Sequence, residues 1–161
     1  MTRMPYGATK AMGQSLVQNY LHIIFGTKYR RPLIYPPYED ELYNYLGGTC
    51  NKLDCQSIKV GGYLNHVHIL CMLSKKIALM KLLEKLKASS SKWMKSNDPA
   101  LDNFYWQDGY GAFSVNPAQV DIVARYITNQ HEHHKKVDFQ DEYRGILKEY
   151  NMEYDERYIW D

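Results

Sequence analysis

Cysteines, long hydrophobic runs and nucleotide-binding glycine loops are scarce or missing in this sequence. Only three of the 161 residues are cysteine, and they lack the paired spacing of a zinc knuckle, which predicts reduced thiols and no disulfide. No apolar run approaches the roughly 20 residues of a membrane helix, and the first residues do not resemble a secretory signal. A GxxxxGK(S/T) loop is also missing, which argues against an ATP-driven reaction. We therefore expect a cytoplasmic protein without a membrane partner.

The length and the composition predict one domain. The chain is 45% hydrophobic and 24% charged, as is typical of a soluble globular protein of this size. We expect a single domain over residues 1–161, in which residues 1–16 form a flexible tail. Residues 138–161 are expected to form a C-terminal helix and an acidic tail.

The net charge of +2 conceals a division along the chain. Residues 1–137 carry 17 Lys and Arg against 10 Asp and Glu, whereas residues 138–161 carry 3 against 8. Clustered basic residues attract a phosphate backbone, although a lysine-rich helix is often only a solvated face. The basic side chains that we expect to contact DNA are Lys28, Arg30, Arg31, Lys81, Lys85 and Lys92.

The hydrophobic periodicity predicts the element order β-α-β-β-α-β-α-α. Two helices are predicted over residues 38–54 and 77–96, and the second is amphipathic and basic. Asn116 followed by Pro117 is suited to begin the helix after the last strand, which is expected to run to Lys136. The first six elements have the βαββαβ order. We therefore predict an α+β fold, a ferredoxin-like antiparallel sheet with helices on one face and an added C-terminal helix.

The stretch NHVHIL, residues 65–70, has the composition of a buried strand but contains two histidines. Side chains alternate along a strand, so His66 and His68 share one face while Val67 points to the opposite one. The preceding Gly61-Gly62 predicts a hairpin turn or a bulge before this strand. The two imidazoles could hold a divalent metal, or they could be polar residues on a solvated sheet face.

Four segments of the sequence, taken in order, resemble one family of enzymes. They are TKYRRP, GGYLNHVHIL, WQDGYGAFSV and YITNQ. The chain is similar, from about Val17 to Tyr158, to the single-tyrosine HUH transposases of small prokaryotic insertion sequences, in which U denotes a hydrophobic residue. Gln at position 130 is more similar to the insertion-sequence branch than to the relatives associated with chromosomal palindromic repeats.

This resemblance implies both a set of site residues and a substrate. A divalent metal would be held by His66, His68 and the side-chain oxygen of Gln130, and Tyr126 would be the nucleophile. Tyr126 and Gln130 are four residues apart and therefore neighbours on one helix face. The implied substrate is single-stranded DNA with subterminal hairpins, and the implied assembly is a homodimer whose active sites are shared between the chains.

The chemistry of these residue types is consistent with such a reaction. Cleavage of a phosphodiester needs an in-line nucleophile and a cation that withdraws charge from phosphorus and from the departing oxygen. Magnesium or manganese suits a mixed site of imidazole and amide oxygen with open positions. A tyrosine nucleophile leaves a 5′-phosphotyrosine, and phenoxide is then a good leaving group for rejoining.

Two other functions remain open from the sequence. A noncatalytic single-stranded nucleic-acid-binding module of the same fold would explain the lysines and the aromatics, but not the His-Val-His and Tyr-Gln pairs. A metal-dependent hydrolase of small phosphoesters would explain the metal ligands but would give Tyr126 no role.

Several other aromatic and imidazole side chains have competing interpretations. Trp106 could stack on an unpaired base, although aromatics on a central strand more often belong to the core. The histidines of HEHH, residues 131–134, are expected to be structural or to face DNA, and His22 is expected to be a satisfied strand residue.

Overall fold

Four strands form a single antiparallel sheet. The computed structural model describes residues 13–161, so residues 1–12 of the expected N-terminal tail lie outside it. The strand order is β2-β3-β1-β4, and every neighbouring pair is antiparallel. This arrangement confirms the predicted ferredoxin-like sheet. The strands are β1 (Tyr20–Gly26), β2 (Ser57–Tyr63), β3 (His66–Met72) and β4 (Gly111–Ser114).

Within residues 13–161, five α-helices cover the two faces of the sheet. The helices of the βαββαβ unit, α1 and α2, share one face, and the three that follow β4 pack on the other. The C-terminal helix is therefore added across the sheet from the first two. The helices are α1 (Pro36–Lys52), α2 (Leu79–Asn97), α3 (Val120–Thr128), α4 (Gln130–His133) and α5 (Phe139–Glu149).

The alternation of side chains along the central strands separates the core from the site. In β3, Val67, Ile69 and Cys71 are buried in the main core under α1 and α2. His66, His68 and Leu70 therefore point to the opposite face, where α3 and α5 pack. Two smaller apolar clusters lie on that face, one built on Leu70 and one on Ile24 of β1.

The glycine pair has a different role from the predicted one. Gly61 and Gly62 lie within β2, the strand turn falls at Leu64-Asn65, and the register shift is near Ser57, so the predicted turn or bulge at the glycines is wrong. A β-carbon on Gly61 would lie 2.7 Å from the backbone oxygen of Ile127 in α3. The missing side chain thus lets α3 approach the sheet closely.

The segment after β4 begins as predicted but does not form one continuous helix. The Asn116 side chain accepts a hydrogen bond from the Ala118 N–H at 2.9 Å, and Pro117 begins a single 3-10 turn. The helix that follows is interrupted at Asn129, which separates α3 from α4. Within residues 13–161, no helix is long and apolar enough to cross a membrane.

Candidate active site

The two histidines of β3 are fully buried, which excludes the interpretation as a solvated sheet face. His66 and His68 both have 0% exposure, and Val67 occupies the opposite core. Buried imidazoles need partners for their ring nitrogens. Those partners come from four parts of the chain: β1, the β2–β3 turn, α4 and α5.

His66 is held by hydrogen-bonding groups on both sides of its ring. Nδ1 lies 2.9 Å from the Asn65 side-chain oxygen, and Nε2 lies 3.0 Å from Oε1 of Gln130. The ring of Phe139 stacks flat on it, with centroids 4.2 Å apart. Burial lowers the pKa of His66 to about 4, so the imidazole is neutral at physiological pH and available as a ligand.

His68 is oriented by His22, a residue of the neighbouring strand β1. Nε2 of His22 lies 2.7 Å from Nδ1 of His68, and the two rings stack. Burial lowers the pKa of His22 to about 3. His22 is therefore more than a satisfied strand residue, because it fixes which nitrogen of His68 faces the site.

Tyr126 and Gln130 converge on one carboxylate, as their spacing predicts. The Tyr126 hydroxyl donates a hydrogen bond to Oε2 of Glu142, and the Gln130 side-chain amide donates to the same oxygen at 3.0 Å. The tyrosine ring lies 5.8 Å from that of His68, measured between centroids. The interruption at Asn129 thus preserves the common face of the two side chains.

Glu142 reaches this cluster from α5. The Asp138 side chain accepts from the Asp141 N–H at 2.8 Å and begins the helix, which brings Glu142 inward one turn later. Its Oε1 lies 3.1 Å from Nε2 of His68 and 3.4 Å from Nε2 of His66. The carboxylate is therefore in contact with the expected nucleophile and with the expected metal ligands.

The pKa values of Glu142 and of Tyr126 are both shifted from their usual ranges. Burial alone would raise the pKa of the Glu142 carboxyl, but its contacts with the imidazoles of His134, His66 and His68 hold the pKa well below its usual range. Burial raises the pKa of Tyr126 far above that of a free tyrosine, and the negative charge of Glu142 raises this pKa further. Without a cation nearby, the Tyr126 phenol is thus a poor source of phenoxide.

The donor set fits a divalent metal. Ligand atoms of His66, His68 and Glu142 all lie within 4.8 Å of one another, and so do those of His133, His134 and Glu142. Nε2 of His133 is buried without a hydrogen-bond partner, although it lies 3.2 Å from a Glu142 oxygen. Neutral imidazoles with carboxylate and amide oxygens are ligands of Mn²⁺ and similar ions.

The candidate site residues lie together within one chain. Tyr126, Gln130 and both strand histidines meet in a single cluster. The structure holds one chain, so the expectation that two chains share each active site stays a prediction. The short connector after β4 folds α3 back onto its own sheet, where Ile127 contacts Gly61.

The basic residues expected to contact DNA fall into two groups. Lys28, Arg30 and Arg31 lie just after β1, whose last residue Gly26 is paired with His66. The lysines at 81, 85 and 92 are exposed on α2, on the sheet face opposite the histidines, so they are not brought to the site.

Trp106 belongs to the core, and its predicted stacking on a base is corrected. The side chain is 6% exposed, its indole N–H donates to Ser90 Oγ at 2.9 Å, and Phe25 meets the ring edge-on. An aromatic fixed in this way has no free face for a nucleotide.

The exposed aromatics near the basic turn are tyrosines. Tyr29 and Tyr105 are 66% and 53% exposed. With Lys28, Arg31 and Asn103 they line a surface pocket of about 270 Å³. Tyr29 has a positive φ of 58°, a strained conformation that places its ring beside the Lys28 and Arg31 cations.

Sequence reasoning missed the roles of Glu142, His22 and His134. Glu142 lies on the apolar face of α5, with the buried Phe139 and Tyr143, and a carboxylate on a buried face is a signal that could have been used. The contacts of His22 and His134 depend on tertiary packing, which no local spacing encodes.

The sequence is similar to that of one protein family. The sequence pattern described as "Transposase IS200 like" matches residues 15–130. No significant match is found among curated protein sequences.

Two solved structures share the fold at low sequence identity. A proposed transposase from Deinococcus radiodurans R1 is 20% identical with a TM-score of 0.59, covering 76% of this chain and 98% of that one. A REP-associated tyrosine transposase bound to a REP hairpin is 13% identical with a TM-score of 0.56, covering 80% and 76%.

Proposed function

The chain belongs to the IS200-like transposase family, and from this premise we propose that it cleaves and rejoins single-stranded DNA at insertion-sequence ends through a 5′-phosphotyrosine. The observation that carries the proposal is the convergence of Tyr126, Gln130 and the two β3 histidines in one buried cluster. A transposase that acts as a DNA-processing enzyme needs a nucleophile and charge stabilisation at one place.

Tyr126 is the proposed nucleophile. Its oxygen attacks the scissile phosphorus, the bond from phosphorus to the 3′ oxygen breaks, and the DNA is left with a free 3′-hydroxyl. The phenolic hydrogen already lies on a hydrogen bond to Glu142 Oε2, which orients the Tyr126 oxygen, and over the whole step this proton is transferred to the departing 3′ oxygen. A 3′-hydroxyl of another strand reverses the step and restores a phosphodiester without ATP.

His66, His68 and Gln130 are the proposed holders of a divalent metal, magnesium or manganese. When bound, such an ion withdraws charge from the phosphate and from the leaving oxygen. The imidazole of His66 is neutral, and Asn65 and His22 fix the ring orientations from behind, as is typical of metal sites. Tyr126 and His133 are only partly buried and their rings are in edge contact, so the DNA would approach the site from the side on which these two rings lie.

Hairpin DNA is the proposed substrate. The REP-associated relative with the same fold is bound to a REP hairpin. In this chain, the pocket formed by Tyr29, Tyr105, Lys28, Arg31 and Asn103 combines exposed aromatic rings with cations, which suits an unpaired nucleotide next to a duplex stem.

A homodimer remains part of the proposal, with a changed role. If the cluster of Tyr126, Gln130 and the two histidines in one chain is the active site, a second chain would serve to hold the other DNA end rather than to supply the tyrosine. Rejoining requires two DNA ends near each other, which paired subunits provide.

A trapping assay tests the proposed function. Single-stranded oligonucleotides that cover the DNA flanking the coding sequence are incubated with the protein and Mn²⁺, and adducts are separated under denaturing conditions. The wild type should form a covalent adduct, while Tyr126→Phe should bind DNA but form none. Hydrolysis without an adduct would indicate a phosphoesterase, and binding without cleavage would indicate a noncatalytic module.

A further inference from the structure

We propose that Glu142 is a ligand of the metal, so that the C-terminal helix supplies an anionic oxygen to the site formed by His66 and His68. The inference rests on the proposed function and adds to it a residue that lies beyond the matched segment, residues 15–130. The site would then depend on α5, and a chain truncated at the end of the family match would lack its only negative ligand.

The positions of the ring hydrogens on His66 and His134 favour a metal at the centre of the cluster. Nδ1 of His66 faces the side-chain oxygen of Asn65, and Nδ1 of His134 lies 2.7 Å from the Val137 carbonyl, so each Nδ1 carries the ring hydrogen. In a neutral imidazole the opposite nitrogen, Nε2, is then a bare acceptor. Both Nε2 atoms therefore present lone pairs to the centre of the cluster.

Those lone pairs face other acceptors. Oε1 of Gln130 lies 3.0 Å from Nε2 of His66 and 2.9 Å from Nε2 of His134. Oε1 of Glu142 lies 3.4 and 3.3 Å from the same two nitrogens. Four acceptors around one point need a cation between them. A divalent metal is such a cation, and neutral imidazoles are ready to bind it.

The charge of the cluster also favours a metal. Glu142 is 5% exposed, and its polar neighbours are imidazoles, the Gln130 amide and the Tyr126 hydroxyl. Among these contacts there is no lysine or arginine. A buried carboxylate is normally paired with a cation or bound to a metal, and here the groups around it are those that ligate metals.

The two carboxylate oxygens of Glu142 have different neighbours. Oε2 accepts from Tyr126 and Gln130 and is satisfied, whereas Oε1 faces His68 and His66 at 3.1 and 3.4 Å. Adjacent ligands at right angles, each about 2.1 Å from a metal, lie about 3 Å apart. The observed spacing already has this size. Glu142 would thus join the metal to the nucleophile, with one oxygen on each.

A carboxylate ligand would increase the affinity of this site for magnesium or manganese. Magnesium and manganese bind oxygen anions more strongly than neutral amides, so a site with only His66, His68 and Gln130 would hold these ions weakly. A negative ligand also reduces the charge that the ion introduces into a buried site.

The test is a measurement of Mn²⁺ affinity on the full-length protein without DNA, using the electron paramagnetic resonance signal of free Mn²⁺. Glu142→Gln keeps the shape of the side chain and removes its charge. Glu149→Gln removes an exposed carboxylate from the same helix and is the matched control. We expect Glu142→Gln to weaken Mn²⁺ binding by at least about tenfold, and Glu149→Gln to leave it unchanged.

The outcomes separate this inference from the proposed function. If His66→Ala abolishes Mn²⁺ binding while Glu142→Gln leaves it unchanged, Glu142 is not a ligand and the histidine site stands. If neither substitution changes binding, the metal site of the proposed function fails as well. Should Glu142→Gln not fold, a crystal of the wild type with Mn²⁺ decides: an anomalous peak bonded to the Glu142 carboxylate supports the inference, and a peak away from it overturns the inference.

Discussion

At the scale of single residues, each histidine of the site has its ring orientation fixed by a hydrogen-bond partner on the side away from the centre of the cluster. Asn65 fixes His66, His22 fixes His68, and Val137 fixes His134. Such partners select the imidazole nitrogen that would face the proposed metal, and in metal sites their loss typically lowers metal affinity roughly 10- to 100-fold.

The His22 contact gives a prediction at this scale. His22→Phe keeps the volume and the stacking on His68 but removes the nitrogen partner of its Nδ1. We expect Mn²⁺ affinity to fall by about tenfold, as measured by calorimetric titration. His131→Asn changes a histidine whose side chain is 54% exposed and should have no effect. Equal affinity of wild type and His22→Phe would contradict the orienting role.

The sequence predicted part of this residue network for physical reasons. A strand period of two places His66 and His68 together, and a helical spacing of four places Tyr126 beside Gln130, so these relations are local. Glu142 and His22 meet the cluster through sheet register and helix packing. Such long-range contacts leave no spacing in the sequence, and only the carboxylate on the apolar face of α5 indicates one of them.

At the scale of elements, the position of α3 is set by glycine in β2. Gly61→Ala would bring a β-carbon to 2.7 Å from the Ile127 oxygen, so α3 must shift outward and carry Tyr126 with it. We expect the free energy of unfolding to fall by about 1 to 3 kcal/mol and adduct formation to fall more than DNA binding.

A matched control for this change lies in α1. Gly48 has nothing within 4 Å of its would-be β-carbon, so Gly48→Ala should stabilise the protein by up to about 1 kcal/mol. Thermal unfolding and the trapping assay are compared for both variants. A fully active Gly61→Ala protein would show that α3 does not depend on this close approach.

The basic turn after β1 gives a second prediction for an element. Tyr29→Ala should weaken binding of a hairpin with a single-stranded flank by about tenfold, because one stacking contact contributes roughly 1 to 3 kcal/mol. Tyr154→Ala removes another exposed tyrosine, 42% accessible, and should bind as the wild type does. Fluorescence anisotropy at fixed salt measures both, and equal losses would argue against a specific pocket.

Sequence patterns predicted the elements better than the surfaces between them. The βαββαβ order and the sheet were recovered because hydrophobic period is local, whereas the face that α2 covers depends on the whole sheet. The α2 lysines therefore appeared suited to the site although they lie across the sheet from it. The sequence left Trp106 between base stacking and the core, because its hydrogen bond to Ser90 is a long-range contact that no local pattern encodes.

At the scale of the whole molecule, the placement of all four proposed site residues in one chain predicts how mixed assemblies behave. In a verified heterodimer of a His66→Ala chain and a Tyr126→Phe chain, each site should retain one lesion. We therefore expect no covalent adduct, with co-expressed, differentially tagged chains as the material. Recovery of adduct formation would show that α3 exchanges between subunits and that the sites are shared after all.

The most direct test of the central claim is to locate the covalent link between DNA and protein. The adduct formed by the wild type with Mn²⁺ is digested and the modified peptide is sequenced by mass spectrometry. We expect a nucleotide attached through its 5′ phosphate to the oxygen of Tyr126, together with a released strand that ends in a 3′-hydroxyl. A link to any other of the 15 tyrosines, or through a 3′ phosphate, would contradict it.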